Sequence, residues 1–154
     1  MKEIQKIRQA LKISIFEVFE KMFFVFLEPA EGIPLEEGVC RASIRYRGTP
    51  SGSIALFVAP GLAERMVRNL LLKDEGDVSE RDIEDCMKEA ANMVCGNFLR
   101  IFDSSVTFDL TIPEFERLVG GVTTEAGGKE KDAVLLNFQS DSGALSVVLE
   151  KMES

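Results

Sequence analysis

Two stretches, residues 4–27 and 79–102, place apolar side chains at helical spacing on one side only, and neither contains a proline. In the first, Ile4, Ile7, Leu11, Ile15, Val18, Phe19, Met22, Phe23 and Phe26 keep that period. A helix with a single apolar stripe has to lay it on another layer, so two such helices call for a shared partner surface. The rest of the chain supplies one. Residues 39–46, 53–59, 106–112, 115–123, 133–139 and 144–150 read as strands. The clusters at 48–52 and 140–143 read as hairpin turns. Residues 28–38 form a loop by their breakers Pro29, Gly32, Pro34 and Gly38, and residues 125–131 a flexible connection. Pro60 opens a shorter helix that buries Leu62, Met66, Val67, Leu70 and Leu71 and stops before residues 73–77. The expected class is α+β, with long helices packed on a mostly antiparallel β-sheet, in a single domain over 1–154. Helix followed by hairpin occurs twice, with slight identity between the halves, which suggests a weak internal duplication.

Charge and composition narrow the chemistry. With 18 Lys and Arg against 26 Asp and Glu, the net charge is -8. Neither nucleic acid nor an anionic membrane surface is an expected partner, since both are recognised by clustered cations. There is no histidine, which removes Ser-His-Asp triads, Cys-His pairs, HExxH zinc sites and any imidazole base. Any catalysis rests on carboxylates, amides, hydroxyls, thiols, Lys or Arg. Cys40, Cys86 and Cys95 have no ligand or redox spacing and read as free cytosolic thiols serving as small hydrophobes. The start of the chain has no secretory signal pattern, and the longest apolar run, residues 22–27, is too short to span a bilayer. The expected location is the cytoplasm.

The informative stretch is residues 79–102. Ser79 is its expected N-cap, with Glu80 and Asp82 in the first turn where negative charge suits the helix dipole. At roughly 100° per residue, Asp85, Glu89, Asn92 and Gly96 share an arc of about 60°. Ile83, Met87, Ala90, Val94, Phe98 and Ile101 lie opposite and face the core, so the carboxylates and the amide face outward together. Asn92 and Gly96 each cost the helix roughly 0.5–1 kcal/mol relative to Ala, and such broken local rules gather at functional sites. Gly96 also clears space beside the amide for a close partner. By chance a Glu-x-x-Asn pair arises about 0.5 times in a chain of this composition; an Asp or Ser four residues before the Glu lowers that to about 0.06.

Asp85-Cys-Met-Lys-Glu89-Ala-Ala-Asn92 resembles the [Asp/Ser]-x-x-x-Glu-x-x-Asn signature of the CheC/CheX chemotaxis phosphatase family. Met93-Val94-Cys95-Gly96 after it, and Phe19-Glu-Lys-Met-Phe23 before it, resemble the CheX-like branch. Thr111-Ile112-Pro113 resembles the family's strand-ending proline, but its spacing from Asn92 need not match, and Pro113 is given no functional role. The motif stands once, with Val18 and Lys21 near where a second Glu and Asn would sit, which fits CheX better than CheC. The resemblance implies a CheC-like fold, a homodimer, and hydrolysis of the aspartyl phosphate on a CheY-like response regulator. It assigns Asn92 to orienting the attacking water and Glu89 to pairing with the receiver's lysine, with Asp85 as a second polar anchor. No cofactor is expected on this chain; Mg²⁺ arrives with the phosphorylated receiver.

An alternative keeps the same helix face as a non-catalytic module that holds a receiver or other signalling partner, and a third leaves Glu89 and Asn92 merely exposed. The aromatic run Phe16, Phe19, Phe23, Phe24 and Phe26 reads mostly as core. Glu36-Glu37 and Asp74-Glu75 read as solvated loops, Gly127-Gly128-Lys129 as a turn, and Arg117, Lys129 and Lys131 form no arrangement that points to a partner.

Overall fold

A computed structural model of the chain describes residues 2–31, 37–73, 76–119 and 133–152. The first helix, α1 (Lys2–Glu17), buries Ile7, Ala10, Leu11 and Ile15 and continues into one wider π turn, Val18–Met22. Helical backbone ends there, five residues before the expected Leu27. Phe24 adopts a left-handed φ of 54°, after which the period changes from 3.6 to 2. Val25 and Leu27 are buried, whereas Phe24 and Phe26 point to solvent, Phe26 being 74% exposed. The aromatic run thus divides. Phe19 and Phe23 are core, Phe16 packs edge-on against Phe138, and Phe24 and Phe26 are surface.

The strands are β1 (Glu28–Pro29), β2 (Cys40–Arg47), β3 (Ser51–Val58), β4 (Asp109–Leu110), β5 (Glu114–Arg117), β6 (Ala133–Ser140) and β7 (Gly143–Met152). They form one antiparallel sheet in the order β1-β6-β7-β3-β2-β4, with β5 also on β2. Register decides which side is buried. Ala42 pairs with Leu56 and Leu56 with Val147, Ile44 pairs with Ile54 and Ile54 with Leu149, and all six enter the same core as the helices. Two further helices, α2 (Pro60–Leu70) and α3 (Glu80–Phe102), pack with α1 on this face. The class is therefore the expected one, helices on an antiparallel sheet. No helix among the described residues is long and apolar enough to cross a membrane.

Three departures have local causes. Residues 28–38 are not all loop, because Glu28–Pro29 adds an edge strand to β6. The expected strand 106–112 pairs only at Asp109–Leu110, and the next begins at Glu114. Between them the Arg45 N–H is taken by the Thr111 hydroxyl at 3.0 Å, and Pro113 has no N–H to give, so the ladder breaks. Leu70 and Leu71 are exposed rather than buried, since α2 ends at Leu70 and Leu72 turns left-handed. Residues 120–123 and 125–131, together with Glu36, Asp74 and Glu75, lie outside the described residues.

Candidate functional site

α3 starts on a capping box. The Ser79 hydroxyl accepts from the Asp82 N–H at 3.0 Å, and the Asp82 carboxylate accepts from the Ser79 N–H at 3.4 Å. This satisfies orphan donors of the first turn and fixes where the helix begins. Its buried side is broader than one stripe. Ile83, Met87, Ala90, Val94 and Phe98 are buried as expected, and so are Cys86, Ala91, Cys95 and Leu99, because α1, α2 and the sheet all press on the helix. A buried hydrogen bond from the Ser14 hydroxyl to the Val94 carbonyl, 2.7 Å, ties α1 to its middle. Along the middle of the helix only a narrow row is left outside.

That row is Asp85, Glu89 and Asn92, all exposed, with half-buried Gly96 beyond. Asp85, Glu89 and Asn92 line a shallow recess of about 310 Å³ together with Lys88 and Pro113. Lys88 is held by Glu84 at 2.8 Å, and Asp85 lies 3.9 Å from Arg81 in a solvent-exposed pair of little energetic weight. Glu89 and Asn92, one turn apart, are therefore open to a partner from outside.

Pro113, given no role from its spacing, forms a wall of the recess. What brings it there is the β4–β5 connection, held against α3 from below. Arg117 on β5 donates to both Glu80 oxygens, at 2.8 and 3.0 Å, and to the Gly38 carbonyl at 2.7 Å. The sequence offered no partner for Arg117; the fold gives it this fork. Hydrogen bonding from Arg117 holds the Glu80 carboxyl below the usual carboxylate range.

Gly96 does not line the recess. It belongs to an adjoining groove of about 550 Å³ between α3 and the π turn, where Asn92 is the shared residue. Lys21, Met22, Met93, Arg100 and Leu110 also line this groove, and sequence spacing gave no hint of it, because half of its wall comes from a helix 70 residues away. Val18 and Lys21, placed where a second Glu and Asn would stand, instead border the groove beside Asn92.

The thiols lie behind the row. Cys40, Cys86 and Cys95 are buried and free, and burial pushes Cys86 up to about 12, with the neighbouring Cys40 and Glu89 charges adding to it. They fill space as small hydrophobes. The surface row offers a carboxylate and an amide on a rigid support, which can accept a cationic donor and hold a water by both of its hydrogen-bonding functions.

A family model described as chemotaxis phosphatase CheX matches residues 41–134. No curated protein matches the chain. Among solved structures, chemotaxis protein CheX from Vibrio vulnificus is 22% identical, with 95% of this chain and 96% of that one covered at a TM-score of 0.77. A CheC-like superfamily protein from Shewanella sp. PV-4 is 17% identical, with coverage of 96% and 97% and a TM-score of 0.76. A CheX–CheY–BeF3–Mg²⁺ complex from Borrelia burgdorferi matches at 19% identity, coverage of 94% and 97%, and a TM-score of 0.68. These structures share its fold.

Proposed function

The chain belongs to the CheX family of chemotaxis phosphatases, and from that premise we propose that it hydrolyses the aspartyl phosphate of a CheY-like response regulator in the cytoplasm. The observation that carries this reading is the exposed pair Glu89 and Asn92, one turn apart on α3 with the Pro113 recess in front of them. A solved relative of the same fold binds CheY carrying BeF3 and Mg²⁺, which supports a receiver as the partner. An acyl phosphate is already activated, and the receiver brings Mg²⁺ and a lysine to neutralise the phosphoryl oxygens. The barrier that remains is placing a water in line with the leaving carboxylate. The Asn92 amide accepts one hydrogen bond from that water and donates another to the phosphoryl group. Glu89 pairs with the receiver's lysine and sets the docked register, and Asp85 adds an outer polar contact. The water's proton leaves with the departing carboxylate or with solvent, so no imidazole is needed. Family likeness also makes a homodimer the expected assembly.

The test is the decay of a phosphorylated receiver. Wild type should accelerate it, and Asn92→Ala should lose about 100-fold in kcat while still binding the receiver. Glu89→Ala should lose binding as well. If wild type leaves the receiver's own decay rate unchanged while binding it, the chain is a holding module and the phosphatase reading fails.

A further inference from the structure

The groove beside the recess is unexplained by hydrolysis. Gly96 breaks α3 propensity six residues before the helix ends at Phe102, yet none of the described residues requires a glycine there. A Cβ built on it meets no described atom within 4 Å. Glycines kept for close packing in this fold look different: at Gly52 a Cβ would fall 2.4 Å from the Tyr46 hydroxyl and 2.7 Å from the Glu150 carbonyl. The bare backbone at Gly96 therefore faces outward, into a groove whose apolar lining comes from Val18, Met22, Met93 and Leu110.

Charge gives the groove a direction. Before Asn92, α3 carries five acids, Glu80, Asp82, Glu84, Asp85 and Glu89, against two bases, Arg81 and Lys88, both paired along the helix, whereas the groove is lined by Lys21 and Arg100 against one carboxylate, Glu17. Arg100 donates to Asn97, which in turn donates to Glu17 at 3.1 Å, so this cation is braced across the groove. A chain of net charge -8 thus sets two cations, against the one carboxylate Glu17 that Asn97 engages, beside an apolar slot directly adjoining the amide of its candidate site.

We propose that this groove is the specificity seat for the receiver: it takes an apolar side chain that the receiver carries next to a carboxylate, near its phosphorylated aspartate. This rests on the phosphatase reading above for the identity of the partner. The apolar side chain fills the space left open at Gly96, and the flanking carboxylate pairs with Lys21 and Arg100. Docking is polar in sense, with the receiver's lysine at the acidic end on Glu89 and its carboxylate at the basic end, so only one orientation brings the acyl phosphate to Asn92. The groove acts on binding and leaves the water alone.

The experiment uses the whole chain and each CheY-type receiver of the source organism, either phosphorylated from a small phosphodonor or activated with beryllofluoride and Mg²⁺. Gly96→Leu fills the groove on an open helix face; its KM and its Kd for the activated receiver should rise tenfold or more with kcat retained. Lys21→Glu, on the other wall, should raise KM several-fold and flatten its dependence on salt. Unchanged kcat/KM in both variants overturns the proposal, as does a fall in kcat at constant KM. A change of oligomeric state in Gly96→Leu, read by sedimentation, also overturns it, since the groove would then seat a second copy. If wild type binds but does not hydrolyse, and both variants lose binding, the seat stands and the phosphatase reading falls. If wild type binds no receiver, both fall.

Discussion

Replacing Gly96 by alanine should stabilise the protein, and the size of the gain follows from where the residue sits. In a helix interior glycine is about 1 kcal/mol worse than alanine, because its backbone loses more freedom on folding. That gain is normally offset when the new methyl collides with a neighbour. Here it meets no described atom within 4 Å, so no packing penalty is charged against it, and little burial is added. The expected increase is about 0.8–1 kcal/mol. For a chain of this length that is roughly 2–4 °C in thermal midpoint, or about 0.5 M in urea at a slope near 2 kcal/mol/M. Gly52→Ala is the control. Its methyl has to displace the buried Tyr46 ring or a carbonyl in the β3–β7 ladder, and such overpacking costs about 1–3 kcal/mol. Equilibrium urea unfolding followed by circular dichroism reads both. A Gly96→Ala protein less stable than wild type would mean that something within the chain already occupies that face, and the reasoning from an open groove would be refuted.

Two further outcomes follow from charge and burial. Arg117→Ala should loosen the β4–β5 connection and raise KM through Pro113, with a stability loss within about 1 kcal/mol because the Glu80 pair is exposed. Since the folded Glu80 pKa is lowered, that pair contributes above the usual carboxylate range and fades as pH falls through the folded value; the gap in thermal midpoint between wild type and variant should narrow below about pH 4 and a constant gap would exclude the pair as its source. All three cysteines should resist iodoacetamide in the native protein at pH 8 and react after unfolding, because burial raises Cys40 to about 11 and Cys86 and Cys95 to about 12; rapid native labelling of any one, read by mass spectrometry, would contradict their buried placement.

What could be read in advance was whatever is local. The N-cap at Ser79, the row Asp85, Glu89 and Asn92, the buried thiols and the β6–β7 hairpin all depend on residues within a few turns of each other, and each follows from spacing and propensity. The end of the first helix was misplaced because Phe24 and Phe26 are as apolar as the core residues around them, and hydrophobicity alone carries no record of the left-handed turn at Phe24. Pro113 and Arg117 were opaque for another reason. Their roles come from β5 pairing with β2 and reaching Glu80, contacts between segments 37 or more residues apart. The groove at Gly96 was half legible. A glycine in mid-helix signalled that something approaches, but its second wall is the π turn, which no pattern announced.

Asp85, Glu89, Asn92 and Gly96 sit on one unbroken helix, so their mutual spacing is that of the helix itself, about 1.5 Å per residue along the axis. No loop has to close to assemble them, and thermal motion carries them as a single body. An incoming protein therefore meets a ruler with fixed graduations. The uncertainty of an encounter reduces to three translations and three rotations between two rigid objects, and selection can tune recognition by changing what stands at one graduation without disturbing the others.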